Sequence, residues 1–236
     1  MVAHETARHF PAEPAKPRPS YPILTTDRLH PGRHANGLTI TVIQTIPIET
    51  DLLFARSLPH GTGYTWTLAS RLGEMLCLAE ERFGPRDPTY TLLGFEFGGD
   101  IPGLWFPGNR RHIVIQLIPK CATDTIGACY ELSHECVHLL APTGGRDANN
   151  LEEGLATHFA HWYLVEHLKT DRLCTIPSYN AARSAVEKLL AIDATIIRRL
   201  RDRQPALHLL QPEELIAAVP TLPPDLAAEL CEGFIR

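Results

Sequence analysis

His134-Glu135-Cys136-Val137-His138 puts two imidazoles and a carboxylate within five residues. On a helix, where successive side chains turn by about 100°, His134 and His138 are only about 40° apart and project from one face. Two imidazole nitrogens placed this way can bind one zinc ion, with Glu135 beside them to take a proton from a water that the metal activates. A third ligand is available on the next segment, Leu151-Glu152-Glu153-Gly154-Leu155-Ala156. Glu152 and Glu153 diverge by about 100° on a helix, so only one of them can face both histidines. Glu152 lies in the stripe of Leu155, Phe159 and Tyr163, and Glu153 at its margin near Ala160 and Leu164. A carboxylate among apolar residues is costly unless paired, so helical geometry leaves Glu152 open either as a ligand or as the group that orients one.

Three protein ligands leave one zinc position for water and bring that water's pKa down to about 7. Glu135 then acts as general base and passes the proton to a leaving amine. A developing oxyanion needs a donor, and Tyr163, His161, His158, Tyr179 and Arg183 all follow the motif closely enough to supply one. Tyr163 is taken as the second catalytic residue, although a residue in the stripe with Leu155, Phe159 and Trp162 more often belongs to the core. Cys136 falls about 200° round the helix from His134, on the same side as Cys129, so both read as small core residues and not as ligands.

These residues resemble the gluzincin group of zinc metallopeptidases. In that group HExxH is followed on the next helix by a ligand glutamate, often in an Asn-Glu-Gly-aromatic-Ala context, and the stretch here is Glu152-Glu153-Gly154-Leu155-Ala156. The resemblance covers about residues 112–168. It implies His134, His138 and Glu153 as zinc ligands and Glu135 as general base. It also implies a zincin fold in which the strand nearest the cleft, here His112 to Ile118, aligns the substrate backbone. The thermolysin branch orients its first histidine with an Asp four residues after the ligand glutamate. Thr157 stands there in this chain, so a hydroxyl substitutes or the orienting group comes from elsewhere. The aminopeptidase branch grips the substrate amine with Gly-x-Met-Glu-Asn, of which Gly94-Phe95-Glu96-Phe97-Gly98 is only an echo. Recognition of a free N-terminus is therefore not implied.

The elements that must position this chemistry are legible in the patterning. Residues 1–36 carry six prolines and few packable apolar side chains, and read as a flexible or loosely docked tail. After the Asn36-Gly37 turn, Leu38 to Thr45 is β-branched and reads as a strand. Residues 64–83 place Trp66, Leu68, Leu72, Met75 and Leu76 at helical spacing before Gly84-Pro85. Extended pieces follow at Tyr90 to Phe97, Leu104 to Phe106 and His112 to Ile118. The HExxH helix runs from a cap at Thr123-Asp124 to Leu140, and a second helix from Leu151 to Leu168. Beyond Pro177 the chain reads as helix at Ala181 to Arg203, Pro212 to Val219 and Pro224 to Phe234. This is an α+β, zincin-like order. It divides into the tail (1–36), a sheet-and-helix subdomain with the HExxH helix (37–141) and a helical subdomain supplying the third ligand (142–236).

With 236 residues, 44% of them hydrophobic and 21% charged, the chain has an ordinary globular composition that can bury a sizeable core. A net charge of -5 and a pI near 6.2 provide no basic field for nucleic acid. The run Arg198, Arg199, Arg201, Arg203 reads as a solvated helix face. No apolar stretch is long enough for a membrane span, Met1 to Phe10 lacks the apolar core of a secretory signal, and the six cysteines form no CxxC pair. A cytoplasmic zinc metallopeptidase acting on a peptide or protein is the expected function. The rival is a regulatory or interaction protein with a structural or sensory zinc. An intact Glu135 argues against it, because a structural site closes with four protein ligands and needs no neighbouring base.

Overall fold

The computed structural model describes residues 55–236, apart from 59, 60, 109, 146 and 173. The expected tail and the strand Leu38 to Thr45 lie outside the described residues. Helix α1 spans Leu68–Phe83, starting later than position 64 because Thr67 and Ser70 cap it reciprocally, each side chain accepting from the other's backbone N–H. Trp66 is therefore left upstream of the helix, and Tyr64 pairs with Ser57 in an isolated bridge. The helix stops at Gly84, whose φ of 96° lies in the region that glycine alone enters freely.

Three strands follow, β1 (Thr91–Phe97), β2 (Gly103–Trp105) and β3 (His112–Leu117), in the order β1-β3-β2. β1 runs parallel to β3, and β2 runs antiparallel to it. Ile113, Ile115 and Leu117 alternate into the core, as a half-buried strand requires. This order corrects one expectation. The strand at His112, expected to align a substrate, is the central one, and its backbone is occupied by neighbours on both sides. Among the described residues the edge strands are β1 and β2.

β3 leads through a short 3-10 turn at Pro119–Ala122 into α2 (Thr125–His138), capped by Asp124, whose carboxylate accepts from Gly127 N–H at 3.0 Å. Glu131 on α2 accepts from Ile118 N–H at 3.0 Å and so ties the helix to the end of β3. Asn149 caps α3 (Asn150–Leu168) through Glu152 N–H, while its own side-chain amide donates to Leu207 O in the distant C-terminal region. The single helix expected over 181–203 is two helices, α4 (Pro177–Ile192) and α5 (Ile196–Arg201). The break falls where Asp193 accepts from both the N–H and the hydroxyl of Thr195, a local bond that competes with helical ones. Then come α6 (Pro212–Ala218) and α7 (Pro224–Cys231), the latter shorter than expected because Gly233 pairs back with Asn149.

Among the described residues the fold is thus a small mixed sheet with seven α-helices. Its core is one cluster that joins Ile113, Ile115 and Leu132 to Leu155, Phe159, Leu189 and Leu200. Side chains from both sides of position 141 share it, within a compact unit that runs from Ile46 to Arg236. The arginine run is also not simply solvated. Arg201 is only 6% exposed and Arg198 donates to the Glu80 and Glu81 carbonyls, so both fasten α5 to the end of α1. No helix among the described residues is long and apolar enough to cross a membrane.

Gly154 sits where α3 crosses α4. A Cβ there would stand 2.6 Å from the Ala182 carbonyl carbon and 2.7 Å from Val186 Cγ2. Backbone atoms cannot turn away as a side-chain tip can, so the helices would have to separate. Gly154→Ala is expected to lower stability by about 1–3 kcal/mol, the range for overpacking a dense core, read from a shifted urea midpoint. An unchanged midpoint would show that this crossing is loose.

Candidate metal centre

The HExxH residues sit on the last turn and a half of α2, and Glu152 and Glu153 on the first turn of α3. The short connection folds these ends together. His134 Nε2 lies 3.1 Å from Glu153 Oε2 and 3.3 Å from His138 Nε2, and His138 Nε2 lies 3.7 Å from Glu153 Oε2. This is the group of donors among the described residues that could hold a metal ion. Its spacing can be tested against chemistry. Tetrahedral ligands about 2.0–2.1 Å from a zinc ion stand about 3.3–3.4 Å from one another, and the three distances bracket that value. The donor set fits.

Glu152, the residue whose role helical geometry left open, reaches a different nitrogen. Its Oε1 lies 2.8 Å from His138 Nδ1, and its Oε2 lies 3.4 Å from His208 Nδ1. A proton held on Nδ1 by a carboxylate leaves Nε2 with its lone pair free, which is how carboxylates orient metal-binding histidines. Glu153 is therefore the candidate ligand and Glu152 the residue that orients one. Thr157 does not orient His134. Its hydroxyl and His134 Nδ1 are both buried without a hydrogen-bond partner among the described residues.

The electrostatics favour positive charge at the centre of the group. Burial would push the His138 imidazole down, but the Glu153 and Glu152 carboxylates hold it well above its usual range. Burial would likewise raise both carboxyls, yet the histidines bring Glu152 down to about 2 and Glu153 lower still. Glu135, 5% exposed, moves the other way. Burial raises its carboxyl, and Glu153 and Glu131 add to the rise against the pull of the two histidines.

Tyr163 is not part of this group. Ten residues beyond Glu153 on α3, it stands about 15 Å along the axis at 1.5 Å per residue. It is fully buried, donates to Glu74 Oε2 at 2.5 Å and accepts from Arg71 at 3.2 Å, which makes it a pin between α3 and α1. The apolar stripe around it reflected this core position. Two other tyrosines reach the site: Tyr130, whose ring stacks on that of His134 at 6.4 Å, and Tyr179, at the start of α4, whose ring meets it edge-on at 5.7 Å. The Tyr179 phenol has the metal group's own carboxylate as a neighbour. Burial and the neighbouring Glu153 carboxylate raise its phenol to about 12, so it keeps its proton at neutral pH. His158 pairs with Glu187 and so does Arg183, away from the metal group. Cys136 and Cys129 are buried free thiols. Sequence reasoning missed His208, because nothing local marks a histidine that is joined to Glu152 only by the packing of the C-terminal helices.

No protein-family description, curated protein or solved structure matches this chain.

The two adjacent glutamates make a direct test. Glu153→Ala is expected to abolish tight zinc binding, whereas Glu152→Ala should weaken it by roughly 10–100-fold, the usual cost of losing an orienting partner. Competition with a chromogenic chelator measures both. A larger loss in Glu152→Ala than in Glu153→Ala would exchange the two roles.

Proposed function

We propose that this protein is a zinc-dependent metallopeptidase of zincin type, hydrolysing a peptide or protein substrate. One observation carries the reading: His134, His138 and Glu153 converge at 3.1–3.7 Å with the buried carboxyl of Glu135 next to them, and among the described residues the group has three protein donors instead of four. A structural zinc is closed by a fourth protein ligand, and a catalytic one keeps a position open. Bound zinc supplies Lewis acidity toward a carbonyl and lowers the pKa of water to near neutrality. Glu135 accepts the proton of the attacking water and returns it to the departing amine, a task suited to a carboxyl raised by burial. The Tyr179 hydroxyl, protonated at neutral pH on a ring that packs against His134, is a donor for oxygen charge that develops on the substrate. β2, antiparallel to β3 and at the edge of the sheet among the described residues, offers its outer backbone groups to an extended peptide.

The test uses purified protein loaded with zinc and a mixture of denatured proteins and peptides. About one zinc per chain is expected, with cleavage that stops when a chelator removes the metal and returns on reloading. A protein that takes up no zinc at any loading would remove the basis of the reading.

A further inference from the structure

The segment after α7 does not leave the molecule. Asn150 N–H donates to Glu232 O at 2.9 Å, Phe234 N–H donates to Ala148 O at 3.0 Å, and Gly233 sits opposite Asn149. These bonds lay residues 232–234 along the first turn of α3, the turn that presents Glu152 and Glu153. Further on, the Phe234 ring packs 4.7 Å from the Tyr179 ring, and the Arg236 guanidinium lies 5.6 Å over the same ring. The other ring contact of Tyr179 is with His134. One aromatic ring therefore separates an arginine from the metal group, a gap that an extended peptide at about 3.4 Å per residue bridges in a few residues.

The other arginines of this region are already engaged. Arg172 pairs with Asp124 at 2.7 Å and Arg183 with Glu187 at 3.7 Å. Arg236 is exposed, and no carboxylate pairs with it among the described residues. A guanidinium held over the face of a tyrosine by cation–π attraction does not spend its N–H donors on the ring, and those donors match a carboxylate in two parallel hydrogen bonds.

We propose that Arg236 selects the substrate, binding a carboxylate of the peptide that lies across the metal centre. This rests on the metallopeptidase reading and deepens it by naming an acidic peptide as the substrate class. The carboxylate can belong to an Asp or Glu side chain or to a free C-terminus, and the same chemistry serves both.

The experiment uses the full chain loaded with zinc and hexapeptides in four matched forms, with Glu or Gln at one position and a free or amidated C-terminus. Binding is measured by calorimetry on the Glu135→Gln protein, and cleavage on the parent. A carboxylate-bearing form is expected to bind and react about threefold to tenfold better than its neutral twin. Arg236→Gln should erase that preference, so that charged and neutral twins bind and react alike, and Arg236→Lys should restore part of it. Preference for the Glu form points to a side chain, and preference for the free acid to a C-terminus. Equal binding of all four forms, or a preference that persists in Arg236→Gln, overturns the proposal, as does the absence of any binding. Selective, Arg236-dependent binding without cleavage keeps it and removes the peptidase reading, whereas cleavage without selectivity does the reverse.

Discussion

Glu135→Gln is expected to keep its fold and about one zinc per chain while losing roughly 10²–10⁴-fold of its hydrolytic rate, the usual share of a general base. The amide matches the carboxylate in shape, and the three donor groups at His134, His138 and Glu153 stay in place. What goes is the basic oxygen in a pocket where burial holds the carboxyl above its ordinary range. Neutralising Glu135 also removes a buried negative charge, so the variant should be no less stable than the parent. Zinc analysis, a thermal melt and the rate on any cleaved protein separate these effects. A variant that cleaves as fast as the parent would take Glu135 out of the mechanism.

Arg201→Met should cost about 3–5 kcal/mol of stability, the loss expected when a buried charged hub is removed. The Arg201 side chain is nearly enclosed and faces main-chain oxygens. It donates to Phe83 O at 2.7 Å, Gly84 O at 2.8 Å, Pro85 O at 2.9 Å and Leu140 O at 3.0 Å, with Nε 3.3 Å from Pro205 O. Several of these are the carbonyls left over at the C-terminal ends of α1 and α2, where positive charge is also favoured by the helix dipole. Methionine fills similar volume but takes the guanidinium donors away from all five oxygens, of which Phe83 O and Gly84 O belong to buried residues, while Leu140 O keeps the Asp87 N–H. Arg201→Lys should recover only part of the loss, since one ammonium cannot reach carbonyls spread around a fork. Urea unfolding measures all three proteins, and a Met variant within about 0.5 kcal/mol of the parent would show that water replaces the guanidinium at little cost.

The inner part of the site was readable because it is local. The four-residue histidine spacing, the Asp124 cap, the Gly-rich turn and the glutamate pair all lie in one helix-turn-helix stretch, and side-chain direction follows from helical pitch. Between Glu152 and Glu153 pitch alone did not decide. The division came from three-dimensional contacts, with one oxygen pair serving His138 Nδ1 and His208 and the other carboxylate facing both Nε2 atoms. Tyr163 was misplaced for a related reason. An apolar stripe shows that a residue is buried and is silent about which end of the helix carries the chemistry. Strand order depends on pairing between distant segments, so nothing in His112 to Ile118 marked it as the middle strand. The break at Asp193 was a side-chain competitor for backbone bonds inside an otherwise helical pattern, where periodicity gives no warning.

The ligands and their supports are also made at different times. His134 and Glu153 meet across 19 residues, whereas Asn149 is tied to Leu207 across 58 and Leu140 to Arg201 across 61. Closing a short stretch costs less chain entropy, so the donor groups can come together on the α2–α3 hairpin soon after it leaves the ribosome. Arg201, His208 and the segment beside Tyr179 are synthesised after that hairpin. Until they dock, His138 lacks the His208-anchored carboxylate that orients it, and Tyr179 lacks its covering of Phe234 and Arg236. The three donor groups can thus meet before the contacts that brace them are made, and the bracing arrives only with α5 and the helices after it.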